Sequence, residues 1–355
     1  MTKKALPLLL IAVLAALLPA SETPGQSWKF VVMADSQGNR PDNTNGVSTT
    51  TLGSVVNDVV KNVKPELILF AGDLVTGAAT EAALEKQLLT FRDTMAPAYD
   101  AKIPVYAIRG SHDVGENIYR PWSNAVWNKV FSGPYAMPSN GPEGEKGVTY
   151  SFTHKDALFI GIDSYKTPGG RTLTINQPWL KAQLAANAKP HVFAFSHTQI
   201  VKVEHSESLD TTPPMRNAFV KSLIDAGARA YFCGHMHLSN HTRLNDTKAD
   251  PRDADPSDDF HQFIVPPCSQ KFYSWKRQVY DGNAIPGRTP HKVHHVESRE
   301  PGYVIVEVEG LKVTVTAKLR RAQTGEFYTA ATYTYTVAAE NPRQAKPEVR
   351  ASVAK

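Results

Sequence analysis

Five apolar runs of strand length each end on a short motif of Asp, His, Gly and Ser, and this recurrence constrains the fold more than any other feature of the chain. Trp28–Ala34 is followed by Asp35-Ser36-Gln37, and Leu67–Ala71 by Gly72-Asp73. Val105–Ile108 leads into Gly110-Ser111-His112-Asp113, Val192–Phe195 into Ser196-His197, and Ala228–Cys233 into Gly234-His235-Met236-His237. Between the first three runs the apolar spacing changes to that of a helix. Leu52, Val55, Val56, Val59 and Val63 recur every three to four residues, and a second helix is predicted over Glu81–Met95. This strand–helix alternation predicts a parallel sheet with short connections. All the motifs then fall at carboxyl ends of strands, the edge where open α/β sheets bind ligands.

With 355 residues the chain can bury a large core, and 41% hydrophobic with 21% charged residues excludes a disordered, collagenous or coiled-coil protein. Lys3 and Lys4 precede an apolar run from Ala5 to Leu18, which Pro19-Ala20-Ser21 ends. That is the layout of an export signal, so residues 1–20 are expected to be removed from a periplasmic or extracellular protein. The run is short for a permanent bilayer anchor, and none is expected. The formal charge of +5 includes both signal lysines, so the mature chain is only mildly basic. Such a balance suits small anionic partners and does not mark a nucleic-acid binder. Cys233 and Cys268 each stand at the end of an apolar run. The sequence leaves a disulfide and two buried thiols both open.

Further along, residues 121–146 are rich in Gly, Pro and Asn and read as a loop insertion. Pro213-Pro214 opens a helix that Gly227 closes. An acidic loop is expected over Asp246–Asp259 and a basic one over Lys271–Arg299, where Tyr273 and Trp275 alternate with Lys and Arg. The basic loop reads either as a lid for phosphate and base or as a solvated excursion. Tyr303–Val308 and Lys312–Leu319 read as a hairpin turned at Glu309-Gly310. A main domain over 27–320 is expected, followed over 321–355 by a last strand and a polar tail. His154, His191, His241 and His261 carry no spacing signal, and His205, His291, His294 and His295 lie in the loops.

The motifs carry metal chemistry. Residues i and i+2 of an extended segment point to one side. That would let Asp35 and Gln37 reach one ion, and His235 and His237 straddle two. Carboxylate and imidazole suit divalent transition metals. Two such ions about 3.5–4 Å apart can clamp a phosphate and activate a water for in-line attack.

The order D-x-H, G-D, G-N-H-[DE], H, G-H-x-H is the signature of the calcineurin-like metallophosphoesterases, which include purple acid phosphatases and cyclic-nucleotide phosphodiesterases. This chain resembles that family from about Trp28 to Leu319. The resemblance implies a two-sheet α/β sandwich and two divalent ions, drawn from Mn, Fe, Zn and Mg. It implies that Asp35, Gln37 and His237 hold the first ion, that Ser111, His197 and His235 hold the second, and that Asp73 bridges them. It also implies that His112 faces the substrate and either protonates the leaving oxygen or steadies the transition state, with Asp113 orienting its ring. The partner is then a small-molecule or nucleotide phosphate ester, mono- or diester. Two positions depart from the pattern: Gln37 replaces a His and Ser111 an Asn. Oxygen from Gln37 shifts the first site toward Mn²⁺, Mg²⁺ or Fe, and the short Ser111 weakens the second. These departures keep open a degenerate member that binds metal or phosphate with little turnover. The basic aromatic loop keeps open a secreted nuclease.

Overall fold

The computed structural model describes residues 27–338, apart from 117, 167–172, 204–206, 245–258, 275–289 and 298. The expected signal over 1–20, the polar tail, the acidic loop, His205 and most of the basic loop lie outside the described residues.

β1 (Trp28–Met33) has five of its six residues buried, as a strand covered on both faces must. A small polar hairpin follows, β2 (Gln37–Asn39) and β3 (Asp42–Val47). α1 (Thr49–Asp58) buries Leu52, Val55 and Val56 and runs on into one π-turn over Val59–Val63. Then come β4 (Leu67–Ala71), α2 (Glu81–Thr94), α3 (Ala96–Asp100) and β5 (Val105–Ile108). The Thr80 side chain accepts from the Ala83 N–H and caps α2. Next are α4 (Ser123–Val130), β6 (Tyr150–His154), β7 (Ala157–Ile162), α5 (Gln177–Ala185), β8 (His191–Ser196), α6 (Pro213–Asp225) and β9 (Ala230–Cys233). The chain finishes with β10 (Ser239–Leu244), β11 (Phe260–Ile264), β12 (Pro290–Glu297), β13 (Gly302–Glu309), β14 (Lys312–Arg320) and β15 (Phe327–Thr336).

The strands form two stacked sheets, the α/β sandwich expected. One is ordered β15-β14-β13-β1-β4-β5, the other β12-β10-β11-β9-β8-β7-β6. β1, β4 and β5 are parallel in the first sheet; β7, β8, β9 and β11 are parallel in the second. Aromatic rings join the sheets: Phe30 meets Phe159 at 5.1 Å, Phe193 at 4.9 Å and Phe232 at 6.1 Å. Helices cover the outer faces. α1 and α2 pack on the first sheet through Leu52, Val56, Leu84, Leu88 and Phe91. α5 and α6 pack on the second through Leu180, Leu184, Phe219 and Leu223.

Two loop expectations are corrected. Residues 121–146 contain α4, whose Val126, Trp127 and Val130 are buried; the Trp127 indole N–H donates to the Gly147 carbonyl at 2.9 Å. Gly, Pro and Asn crowd the flanks of this helix and hide its short apolar stripe. Within 271–299, Pro290–Glu297 is the strand β12, paired antiparallel with β10. Cys233 and Cys268 are both free and buried, and burial pushes both thiols up.

Candidate metal centre

The strands bring the motifs to one edge. The loops after β1 and β4 are laced by backbone bonds, Asp35 N–H to Gly72 O at 3.0 Å and Ser36 N–H to Asp73 O at 2.9 Å. The loops after β8 and β9 are joined by Gly234 N–H to His197 O at 3.2 Å. The two sheets meet where Ala34 pairs with Pro267 and where both oxygens of Asp35 accept the His235 N–H at 3.0 Å. Such contact requires glycine: a Cβ on Gly234 would lie 2.6 Å from Asp35 Oδ2, and one on Gly110 would lie 2.2 Å from Asp73 Oδ1.

Two groups of ligand atoms result. Asp73, His197 and His235 form one; Asp35, Asp73 and His237 form the other, each within 4.8 Å and buried. Asp73 belongs to both. The extended-segment reason for these pairings is corrected, because Asp35, His235 and His237 have φ of 57°, 73° and 47°. Tight left-handed turns, not strands, aim these side chains, and such backbone concentrates at functional sites.

Backbone carbonyls fix the imidazoles. His197 Nδ1–H donates to Ala71 O at 2.9 Å, leaving Nε2 3.1 Å from Asp73 Oδ2 and 3.2 Å from His235 Nδ1. His237 Nδ1–H donates to Lys271 O at 3.1 Å, leaving Nε2 toward the cluster. Imidazoles held this way are pre-set metal ligands. Gln37 Nε2 lies 3.1 Å from Asp73 Oδ2 and 3.0 Å from His237 Nε2, while its Oε1 is buried with no hydrogen-bond partner. An octahedral ion with bonds of about 2.1 Å keeps neighbouring ligands about 3 Å apart. Half a turn of the amide would put Oε1 at that distance from both neighbours, so the residues present fit a divalent ion. Ser111 is buried in the loop after β5, one residue before His112.

The electrostatics are those of a cluster built to hold cations. Burial raises Asp35 to about 7, helped by the charge of Asp73 and opposed by His197. Burial alone would raise Asp73 too, but His197, His112 and His235 hold its carboxyl well below the usual range. Burial works against a charged His197, yet Asp73 raises it to about 9. Burial, Lys271 and the other histidines push His237 well down.

His112 is also present, half-buried, and its N–H donates to Asp73 Oδ1 at 3.0 Å. Its ring is oriented differently from expectation. Nδ1–H donates to Thr76 O at 2.6 Å, whereas the Asp113 carboxylate accepts the backbone N–H groups of Gly110 (2.8 Å), Leu74 and Val75 (3.2 Å each). Asp113 therefore ties the β4 loop to the β5 loop, and burial raises it to about 7. Beneath this loop lies a contact that spacing did not reveal. Arg109, fully buried, donates from Nε to Asp163 Oδ2 at 2.9 Å and from Nη1 to Ser123 Oγ at 3.0 Å. Asp163 stands after β7, so this ion pair clasps the two sheets. Tyr165, two residues on, packs its ring 5.7 Å from His197 and 6.5 Å from His235 and walls the cluster. The only signal for it was its place just beyond an apolar strand.

Other histidines serve the fold. His154 Nε2 meets Glu66 at 2.8 Å, His191 Nε2–H donates to Gly310 O at 2.8 Å, and His241 and His261 contact each other at 3.0 Å. No helix among the described residues is long and apolar enough to cross a membrane.

Comparison with known proteins agrees with this geometry. The sequence shares 24% identity over 186 residues with a serine/threonine-protein phosphatase of Bos taurus, CPPED1, covering 50% of this chain and 54% of that one. The chain thus spans about half the length of that curated relative. Among solved structures, PhoD aligns with a TM-score of 0.63 at 12% identity, covering 92% of this chain and 72% of that one. The purple acid phosphatase PPD1 of yellow lupin, Lupinus luteus, aligns with a TM-score of 0.60 at 14% identity, covering 88% and 55%. These two likenesses are of fold. The sequence pattern of the calcineurin-like phosphoesterases matches residues 29–239, more than half of the chain and every motif from Asp35 to His237, and the chain belongs to that family.

Proposed function

We propose that the chain is an exported, metal-dependent hydrolase of phosphate esters. The observation that carries this reading is the pair of buried ligand groups sharing Asp73. Asp35, Gln37, Asp73 and His237 would hold one divalent ion; Asp73, Ser111, His197 and His235 would hold a second. Manganese, iron, zinc or magnesium, once bound, would supply Lewis-acid charge and lower the pKa of a water. The chain's own residues do the rest. Nδ1 of His112 is committed to Thr76 O, so Nε2 is the nitrogen that gives a proton to the departing oxygen. Asp113 holds the His112 loop against the Asp73 loop, and Tyr165 keeps water from one side of the cluster. Export rests on the charged, apolar and small-residue order of residues 1–20, with the catalytic domain over 27–320.

The test is hydrolysis of aryl phosphate mono- and diesters by metal-stripped protein, with Mn²⁺, Fe²⁺, Zn²⁺ or Mg²⁺ restored singly and Asp73→Asn as control. Turnover that needs metal and disappears in the control supports the hydrolase. Folded protein inactive with every metal sinks it and leaves the binding protein, the reading that Gln37 and Ser111 favour. In that case Gln37→His with Ser111→Asn should create activity.

A further inference from the structure

The segment after β11 closes over the first ligand group from outside the motifs. Cys268 N–H donates to Ala34 O at 2.8 Å, next to Asp35. Gln270 Nε2 donates to Thr51 Oγ1 at 3.2 Å and pins the segment to α1. Lys271 then gives its carbonyl to His237, and Tyr273 sets its ring edge-to-face with His237 at 5.0 Å. The Lys271 ammonium lies over the Tyr273 ring, 5.4 Å from its centroid. A cation on an aromatic face is held without a counter-charge. Lys271 is half-buried and, among the described residues, forms no ion pair.

A half-buried ammonium held this way stands at the rim of a site that takes phosphate. We infer that Lys271, held by Tyr273, is a phosphate-binding residue that favours monoesters over diesters. This rests on the phosphoesterase reading above. The argument is one of charge. Near pH 7 the phosphate of a monoester carries between one and two negative charges, its second pKa being about 6, whereas a diester carries one. One added cation therefore attracts the monoester more. A charge-assisted hydrogen bond from the ammonium to a phosphate oxygen adds a contact that is about twice as strong as a neutral one.

Lys271→Met keeps the stem and removes the charge; Lys271→Arg restores it. The metal-loaded protein lacking only residues 1–20 is assayed with an aryl monoester and the matching bis-aryl diester, and inorganic phosphate binding is measured by calorimetry. Metal content is checked in each variant. We expect about a tenfold rise in KM for the monoester and in Kd for phosphate in Lys271→Met. The diester KM should change less than about threefold, metal content should hold, and Arg should recover most of the loss. Equal loss on both esters, or unchanged phosphate affinity at full metal content, overturns the assignment. If the wild type hydrolyses neither ester, the hydrolase reading fails by itself, and the phosphate titration still decides for or against Lys271.

Discussion

Replacing Arg109 by Met tests whether a buried ion pair clasps the two sheets under the candidate metal centre. Arg109 and Asp163 are both fully buried. Arg109 follows β5 of one sheet and Asp163 follows β7 of the other. Met fills much of the arginine stem's volume but leaves the Asp163 charge stranded away from water. Removing one partner of such a pair costs about 3–5 kcal/mol. At about 2 °C per kcal/mol, the low end shown by large domains, that is about 6–10 °C in Tm. The assay is thermal unfolding followed by near-UV circular dichroism, with urea midpoints as a second probe. The double variant Arg109→Met with Asp163→Asn should recover at least half the loss, because it removes the stranded charge while keeping an oxygen for the Tyr165 N–H, now accepted at 2.8 Å. A single variant that loses less than about 1 kcal/mol refutes the reasoning. So does a double variant no better than the single, since the deficit then does not come from an uncompensated charge.

Three further outcomes follow from the same contacts. His112→Asn should lower kcat by about 10²–10⁴ on alkyl phosphates but much less on nitrophenyl phosphate, whose leaving group needs no proton, with metal content unchanged; equal losses on both would remove the general acid. Gln37→His should shift metal preference toward Zn²⁺, read by competition calorimetry against Mn²⁺, because imidazole replaces an amide beside His237 and Asp73. His191 is held by burial below its ordinary pKa, so the fold favours its neutral form. Unfolded chains take up that proton below about pH 6.5, so the His191 contribution to stability falls as pH falls through that value. His191→Gln keeps a donor for Gly310 O, and its urea midpoint should fall less than the wild type's between pH 7.5 and 5.5.

Strand positions were legible from the chain alone because β1, β4, β8 and β9 are covered on both faces and so are unbroken apolar runs. The residues of the site were legible for a related reason: a parallel strand must end somewhere, and the polar residue that ends it lies on the sheet's binding edge. Asp35, Asp73, His112, His197, His235 and His237 are local in this sense, each within four residues of a strand's end. Local pattern was weaker where short helices lie among turn residues, as in α4, and where an edge strand is polar, as in β12.

What tertiary structure alone decided was how the two sheets face each other, and which loops meet at their shared edge. The orientation of His112 by Thr76 rather than Asp113, the Arg109–Asp163 clasp, the Tyr165 wall on His197 and the placing of Lys271 at the rim join residues 32 to 54 positions apart. Sequence spacing reports which face of its own strand or helix a residue occupies. It carries no term for the residue that stands opposite, which packing chooses by shape and charge only once both sheets have formed.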